Sequence, residues 1–308
     1  MAYPIEEKFV VAVASSALFD LTESDSVFRQ RGEAMYRVYQ NKNIDKPFEK
    51  GVAYPFIKRL LSLNNSFAEE HPVEVILMSK NSPETGLRAF RSIQYYNLDI
   101  SRACFTNGQS NFQYLPGFNA SLFLSANPDG VKAALEIGSP AGQVLNKYYI
   151  EDNDDDHELR IAFDFDGVLA SDESERVYKQ AENIGEYFQH EQRHATEALP
   201  LGPLGSLLQK ISLFQRLENE KFKQDDSYQK IIKTSIVTAR NSPAHERVVT
   251  SLNEWGVEVD EAFFLGGIDK SRILNILQPH LFFDDQKVHL EHIDRIPVVH
   301  IPFGIANN

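Results

Sequence analysis

The chain is poor in three things: cysteine, positive charge and long apolar runs. Cys104 is the single cysteine among 308 residues, so no intrachain disulfide can form, which fits a reducing compartment. Lysine and arginine number 31 against 44 aspartates and glutamates, a net charge of −13. A surface this negative repels a nucleic-acid backbone, so a nucleic-acid polymer is not expected as a partner. A small phosphorylated ligand is not excluded, because a metal or a local cluster of cations can reverse the field inside a cleft.

The apolar run from Phe9 to Leu18 is too short to cross a bilayer. The chain also has no clear basic start or small-residue cleavage site of the kind that marks a signal peptide. These features predict a cytoplasmic protein without a membrane partner.

The length fits two domains of about 150 residues better than one.

The strongest break in composition is the acidic run Glu151 to Glu158. Like charges at this density repel one another and resist burial, so residues 151–158 are predicted to form a solvated linker. The linker separates a first half, residues 1–150, from a second half, residues 159–308.

The two halves resemble each other in sequence. Val10 to Ser24 matches Arg160 to Ser174, and Ile76-Leu-Met-Ser-Lys-Asn-Ser-Pro83 matches Ile236-Val-Thr-Ala-Arg-Asn-Ser-Pro243. Ser92 to Asn127 then matches Ser251 to Gln286 without a gap. The matches keep their order and their offset drifts only from 150 to 160 residues, which favours an internal repeat over a chance likeness.

Each half alternates short apolar runs with helical stretches, the pattern of an α/β fold with a parallel sheet and helices on both faces. In the second half the predicted strands are Leu159–Phe163, Ile232–Val237, Ala262–Leu265, Leu281–Phe283 and Ile296–Ile301. They are continuous apolar runs, as expected of strands buried on both faces. Ser242-Pro243 is predicted to start a helix, since serine caps free amides and proline suits the first turn.

Polar residues of interest follow these strands, where parallel sheets carry their active sites. Asp164 and Asp166 come after the first strand of the second half and project to the same side of an extended chain. Gly167 permits a sharp turn beside a ligand. Two such carboxylates can hold a hard cation or divide the roles of nucleophile and general acid. Acidic residues also cap helices, so this pair alone is a weak signal.

The later strand ends strengthen the signal. Thr238 has a hydroxyl that could donate to a phosphate oxygen or cap the next helix. Gly267 allows close approach of the backbone, and Lys270 could place a charge beside a phosphoryl group. Asp284 and Asp285 follow an apolar strand directly, and a cation would offset the free energy of burying them.

In this order, the Asp-x-Asp-Gly-Val, Thr, Lys and Asp-Asp motifs resemble those of the haloacid dehalogenase superfamily. The resemblance implies two tandem Rossmann-like units of that type, the first of them a degenerate, non-catalytic repeat. It makes Asp164 a nucleophile that forms an aspartyl-phosphate and Asp166 the acid and base. It implies that Thr238 and Lys270 hold phosphoryl oxygens. It also implies an Mg²⁺ site formed by Asp164, the backbone carbonyl of Asp166 and Asp285, with Asp284 a further ligand or just behind it.

The whole chain is also similar to the cytosolic 5′-nucleotidase I family, through Ser171-Asp-Glu-Ser-Glu-Arg-Val177, Asn81-Ser-Pro-Glu-Thr-Gly-Leu-Arg88 and Leu122-Phe-Leu-Ser-Ala-Asn127. This implies hydrolysis of nucleoside 5′-monophosphates such as AMP. Phe165 stands between the two aspartates where animal members carry glycine, which leaves both carboxylates in place. A phosphatase acting on a sugar phosphate and a nucleotide-binding regulator without turnover are the alternatives. A homo-oligomer is left open.

Substrate choice is expected in an insert from Asp172 to about Lys230, which in this superfamily forms a helical cap. Its aromatic residues, Tyr178, Tyr187 and Phe188, recur at helical spacing and could either stack on a base or form the buried face of a helix. Arg240 and Asn241, with Gly267, are candidate substrate contacts, although Arg240 and Asn241 could equally cap the local structure.

The repeat pairs each catalytic position of the second half with a neutral residue of the first. The paired residues, in the order Asp164, Asp166, Thr238, Lys270, Asp284 and Asp285, are Ala14, Ser16, Met78, Asn111, Ser125 and Ala126. The first half is therefore expected to keep the fold without the chemistry. Its role is either packing, or sensing a nucleotide and closing over the active site.

Overall fold

The computed structural model describes residues 3–145, 151–153, 155–181 and 183–307. It divides into two units, Met1–Asp152 and Asn153–Asn308. The division falls inside the predicted linker, of which residue 154 lies outside the described residues. Asp152 is not free in solvent: it accepts hydrogen bonds from Arg59 at 2.7 and 3.0 Å.

The first unit contains a parallel sheet with five strands in the order β5-β4-β1-β6-β7. Its strands are β1 (Phe9–Ala14), β2 (Phe19–Asp20), β3 (Glu49–Lys50), β4 (Val73–Ser79), β5 (Arg102–Phe105), β6 (Leu122–Ser125) and β7 (Ala141–Val144), with β2 and β3 forming a separate antiparallel pair. Its α-helices are α1 (Ser15–Leu18), α2 (Thr22–Lys42), α3 (Tyr54–Ser66), α4 (Pro83–Tyr95) and α5 (Pro128–Glu136). All residues of β1 and β4 are buried, so both faces of the sheet are covered.

The second unit has the same strand order, β10-β9-β8-β11-β12, and its strands are also parallel. The strands are β8 (Leu159–Phe163), β9 (Ile232–Thr238), β10 (Glu261–Phe264), β11 (Leu281–Asp284) and β12 (Val298–His300). The helices are α6 (Glu173–Gln180), α7 (Ile184–Arg193), α8 (Gly205–Gln224), α9 (His245–Glu254), α10 (Ser271–Leu277) and α11 (Lys287–Leu290). After β10 the chain returns to pair β11 on the other side of β8, so the order reverses between β8 and β11, where such sheets open a crevice.

The predicted α/β class with a parallel sheet is confirmed, and the five strands predicted in the second half are present with ends shifted by at most two residues. Two shifts matter for the site. Thr238 is the last residue of β9, and Asp284 is the last residue of β11. Both side chains are therefore fixed by strand pairing rather than carried on a loop.

The predicted helix start at Ser242-Pro243 is wrong, because α9 begins at His245. The matching serine in the first unit, Ser82, does cap its helix and accepts from the Thr85 amide at 3.2 Å. In the second unit the residues before α9 form a turn instead, and the Ala244 carbonyl at its end accepts from Arg240 at 3.1 Å. The N-cap residue of α9 is Ala244, and among the described residues no side chain caps this helix end.

Three helices, α6, α7 and α8, lie within the predicted insert, of which residue 182 is outside the described residues. The helix α8 packs on the sheet, since the Glu218 carboxylate accepts from the Ile231 and Ile232 amides at 2.6 and 3.0 Å. The shorter helices α6 and α7 form one wall of a cleft. Within the insert, the described residues that line the cleft all belong to α6 and α7.

Among the described residues, no helix combines the length and the apolar character needed to cross a membrane.

Candidate active site

A cleft of about 410 Å³ opens at the carboxyl ends of β8 and β9 in the second unit. The strand-end residues in its lining are Asp164, Asp166, Thr238 and Gly267. Helices α6 and α7 form the facing wall. The volume lies within the range of sites for small molecules.

Asp164, Lys270 and Asp284 form a buried row of alternating charge. The Lys270 ammonium lies 2.9 Å from Asp164 Oδ2 and 2.6 Å from Asp284 Oδ2. Burial alone would lower the pKa of Lys270, but the two carboxylates raise it above the usual value of a lysine. Lysine is therefore cationic here, and its charge faces the carboxylate that follows β8.

Asp284 is fixed as the anchor of this row. Its Oδ2 accepts from Lys270, and its Oδ1 accepts from the Gln286 amide at 2.8 Å. Burial would raise the pKa of Asp284, but Lys270 and His289 together hold it below the usual range. For Asp164 burial prevails over the charge of Lys270, and the pKa of Asp164 is raised.

Asp285 has the opposite environment. Its side chain is fully buried, and within the described part of the chain neither of its carboxylate oxygens has a hydrogen-bond partner. Burial, then the negative charges of Asp164, Asp284 and Glu175, raise the pKa of Asp285 to about 9. A Cβ at Gly167 would lie 2.5 Å from Asp285 Oδ2, so only glycine fits against this carboxylate. A buried polar group without partners is rare in proteins and points to a missing ligand.

These carboxylates fit a divalent cation. Ligand atoms of Asp164, Asp284 and His289 lie within 4.8 Å of one another. Both oxygens of Asp284 are already engaged by Lys270 and Gln286, however, whereas those of Asp285 are not. Asp285 is therefore the favoured metal ligand, because hard cations such as Mg²⁺ are bound by carboxylate oxygens that have few competing donors. Asp164 is the second candidate because it borders the cleft, although its Oδ1 accepts from the Phe165 amide at 2.8 Å and its Oδ2 faces Lys270.

Asp166 is held by an arginine that the sequence suggested as a substrate contact. Arg240 donates from Nε and Nη2 to the two oxygens of Asp166, each at 2.7 Å. The Nη1 group of Arg240 donates to Glu191 at 2.5 Å and to the Ala244 carbonyl. Burial alone would lower the pKa of Arg240, but the adjacent Asp166 carboxylate raises this pKa above the usual value of an arginine. Arg240 is thus committed to protein partners while it borders the cleft.

Glu191, which sequence reasoning missed, joins two arginines behind the site. It is fully buried on α7 and accepts from Arg240, from Arg247 at 3.3 Å and from Ser174 at 2.8 Å. Arg247 donates in turn to Glu173 on α6 at 2.9 Å. This network connects both α6 and α7 to Asp166. No motif marks a single glutamate on an amphipathic helix, so only the fold could reveal it.

Thr238, Gly267 and Asn241 lie on the cleft wall. The Thr238 hydroxyl accepts from the Arg240 amide at 3.2 Å, which leaves its hydrogen free to donate into the cleft. Gly267 has a φ of +89°, and no atom lies within 4 Å of where its Cβ would be. Asn241 is exposed at the rim. Gln286, His289 and Glu175 also line the cleft and had not been singled out.

The aromatic residues of the insert line the cleft and do not form a uniformly buried helix face. Tyr178 and Ile184 are 54% and 58% exposed, whereas Tyr187 is buried. The rings of Tyr178 and Tyr187 meet edge to face with centroids 5.4 Å apart. The aromatic rings of α6 and α7 therefore add apolar surface to a cleft that is also lined by carboxylates.

Comparisons with known proteins assign the chain to one family. A family model described as 5′-nucleotidase matches residues 1–308. Human cytosolic 5′-nucleotidase 1B is 32% identical over 296 residues, which cover 93% of this chain and 47% of that protein. The chain thus spans about half the length of this curated relative. No solved structure matches it. The resemblance noted in the sequence is confirmed, and the chain belongs to the 5′-nucleotidase family.

Proposed function

We propose that this chain hydrolyses nucleoside 5′-monophosphates to nucleoside and phosphate through an aspartyl-phosphate on Asp164. The observation that carries the proposal is the buried set of Asp164, Lys270 and the unpartnered Asp285 beneath a cleft. Membership of the 5′-nucleotidase family supports the substrate class.

The first step transfers the phosphoryl group to the protein. An oxygen of Asp164 forms a bond to phosphorus while the bond between phosphorus and the 5′ oxygen breaks. Asp166 gives its proton to that oxygen, which leaves as the nucleoside hydroxyl. In the second step Asp166 takes a proton from a water that attacks phosphorus, which releases phosphate and restores the Asp164 carboxylate.

The main obstacle to the first step is repulsion between like charges. Two unit charges 4 Å apart repel by roughly 4 kcal/mol at an effective dielectric constant of 20. Lys270 lies 2.9 Å from the attacking carboxylate and offsets part of this repulsion. The Thr238 hydroxyl donates to a phosphoryl oxygen, and the open backbone at Gly267 lets the substrate approach. Phosphoryl transfer depends mostly on such positioning and charge neutralisation.

Asp164, the backbone carbonyl of Asp166 and Asp285 would hold the Mg²⁺ ion that the family resemblance implies. When bound, the ion supplies positive charge beside the phosphoryl group. Asp284 stands behind this set and positions Lys270, because both of its oxygens are already engaged.

Asp166 can act as an acid only after Arg240 has released one of its carboxylate oxygens. In the present arrangement both oxygens accept hydrogen bonds from Arg240. A substrate phosphate entering beside Arg240 offers the competing negative charge. Arg240 thereby contacts substrate during the cycle and frees Asp166 for proton transfer.

The nucleoside part of the substrate lies against α6 and α7. Tyr178, Ile184 and Phe188 present apolar surface to the cleft, and an aromatic ring can stack there on a base. On this proposal the two units are tandem repeats of haloacid dehalogenase type, and α6 with α7 serves as the cap of the second. The identical strand orders of the two units support this reading.

The test is release of phosphate by the purified chain, with and without Mg²⁺, from nucleoside 5′-monophosphates and from sugar phosphates. We expect Mg²⁺-dependent release from the nucleoside monophosphates and a phosphoaspartate on Asp164 after acid quenching, identified by mass spectrometry. Asp164→Asn should lose both signals. Asp294→Asn, which changes an exposed carboxylate of the same unit, should keep both.

Two results would overturn the proposal. Faster release from sugar phosphates than from any nucleoside monophosphate would assign a different substrate to the cleft. Nucleotide binding without release from any substrate would make the chain a regulator.

A further inference from the structure

A second cleft, of about 390 Å³, lies in the first unit at the carboxyl end of β4. It is nearly as large as the cleft of the second unit. Its lining comes from α2 and from the loops after β4 and β5. These are the elements that correspond, by strand order, to those around the candidate active site.

The two clefts are lined by matching positions. Asp25 and Phe28 on α2 line the first and stand 150 residues before Glu175 and Tyr178, which line the second. Lys80 and Asn81 after β4 stand 160 residues before Arg240 and Asn241 after β9.

The backbone matches as well. Asn107 and Gly108 have φ values of +46° and +85°, and their counterparts Gly266 and Gly267 have +55° and +89°. The helix α2 breaks at Gly32, whose φ is +75°, and the second unit separates α6 from α7 at the equivalent place. Asparagine tolerates the left-handed conformation better than most residues, so this turn survived the loss of one glycine. The first unit therefore has a cleft whose lining comes from positions that match those around the second-unit cleft.

The first unit carries other residues at the sequence positions that would bind a phosphate or a metal in the second. Ala14 and Met78 replace Asp164 and Thr238, and Asn111 replaces Lys270. Of the two cations in the lining, Arg37 is engaged by Glu33 at 2.9 Å and by Glu84 at 3.6 Å. Asp25 and Glu33 balance Arg37 and Lys80, so the lining has no excess of positive charge for an anion.

What remains suits a neutral ligand with an aromatic ring and hydroxyl groups. Phe28 is 50% exposed and meets the ring of Tyr36 edge to face at 5.6 Å. The Tyr36 hydroxyl donates to Asn81 Oδ1 at 2.9 Å, which leaves the amide Nδ2 to donate to a ligand. The Asp25 carboxylate can accept from hydroxyl groups.

We infer that the first-unit cleft is a second binding site, which takes a nucleoside without its phosphate. The ligand would belong to the class released by the proposed reaction, and this link rests on the proposed function. The aromatic wall is retained for the ring, while every group that would hold a phosphoryl group is replaced.

The experiment is isothermal titration of the full chain carrying Asp164→Asn, in EDTA, with adenosine, guanosine, cytidine and uridine and with their 5′-monophosphates. At least one nucleoside should bind at a site that Phe28→Ala weakens by about tenfold, the loss expected when a base loses an aromatic partner. Asn81→Ala should weaken the same site. Tyr178→Ala, in the other cleft, and Val38→Ala, on an exposed face of α2, should not.

Nucleoside binding that is unchanged by both Phe28→Ala and Asn81→Ala would overturn the inference. Tighter binding of a monophosphate than of its nucleoside at the Phe28-dependent site would also overturn it. The binding assay needs no turnover. Absence of phosphate release by the unsubstituted chain would therefore refute the proposed function while leaving a Phe28-dependent nucleoside site in evidence.

Discussion

The two units share a hydrogen-bonded scaffold and differ in the charges placed on it. In the first unit Arg88 donates to the Lys46 carbonyl at 2.8 Å and to Gln40 at 3.2 Å. In the second, Arg247 donates to the Glu197 carbonyl at 3.0 Å and to Glu191 at 3.3 Å. The neutral glutamine of one unit is thus a charged glutamate in the other.

A serine one turn beyond each arginine repeats the likeness. Ser92 donates to the Arg88 carbonyl and accepts from the Phe48 amide, and Ser251 does the same with Arg247 and Leu199. In each unit these bonds join one helix, α4 or α9, to a second helix, α2 or α7, and to the loop that follows the second helix. The scaffold of the first unit forms without the buried charge that Glu191 carries in the second. The charged residues at the strand ends of the second unit are therefore available for the proposed reaction.

The largest expected effect is that of Asp164→Asn on phosphate release. Asparagine keeps the shape of the side chain but is a poor nucleophile, so we expect a loss of at least about a thousandfold. Single-turnover release of phosphate measures it. Ser16→Ala, at the first-unit position that matches Asp166, should leave the rate unchanged. If Asp164→Asn released phosphate at the rate of the unsubstituted chain, the carboxylate at this position would not distinguish a catalytic unit from a non-catalytic one.

Asp285→Asn tests the carboxylate that lacks partners. Burial and its acidic neighbours raise the pKa of Asp285 to about 9, so the folded chain holds this proton more tightly than the unfolded chain, whose pKa is the ordinary one. Unfolding releases the proton at any pH between the two values, and stability without metal falls as pH rises. The limit is about 1.4 kcal/mol per pH unit, or about 4 kcal/mol between pH 5 and pH 8.

Urea unfolding in EDTA at several pH values measures this effect. Asp285→Asn should be more stable than the unsubstituted chain by a margin that grows with pH. Adding Mg²⁺ should stabilise the unsubstituted chain, more at pH 8 than at pH 6, and should not stabilise the variant. A margin that is independent of pH would show that Asp285 is already compensated in the metal-free protein.

Ala14→Asp places a carboxylate of the second unit into the first. Ala14 is buried, and the neutral Asn111 occupies the sequence position that matches Lys270. An unpaired buried charge should destabilise the chain by about 3 kcal/mol, measured by urea unfolding. Ala14→Asn has nearly the same size without the charge and should lose clearly less. Equal losses would assign the effect to side-chain size.

The sequence could predict the elements that repeat locally and the residues that follow them. Continuous apolar runs predicted the strands, and the order of motifs predicted that Asp164, Lys270 and Asp284 meet. In the structure Lys270 lies 2.9 Å from Asp164 and 2.6 Å from Asp284. Strand ends converge whenever the sheet is parallel, so this part of the site follows from fold class alone.

The rest depended on contacts between distant segments. The partners of Arg240 are 74 and 49 residues away in sequence, at Asp166 and Glu191, and no local pattern indicates them. The unpartnered state of Asp285 is also a property of its surroundings rather than of its motif.

Glu191→Gln gives the smallest expected effect. It replaces the glutamate of the second unit by the glutamine that the first unit has at the matching place. Glutamine already fills the matching role in the first unit, where Gln40 accepts from Arg88, so the variant should fold. Without the charge of Glu191, Arg240 has Asp166 as its remaining carboxylate partner and holds it more firmly. We expect kcat to fall by about tenfold with little change in KM, because only the proton-transfer step is slowed. Steady-state kinetics on the best nucleoside monophosphate measures both constants.

Glu186→Gln, on the exposed side of the same helix, is the matched control. A raised KM with an unchanged kcat would instead mean that Glu191 positions Arg240 for substrate binding alone.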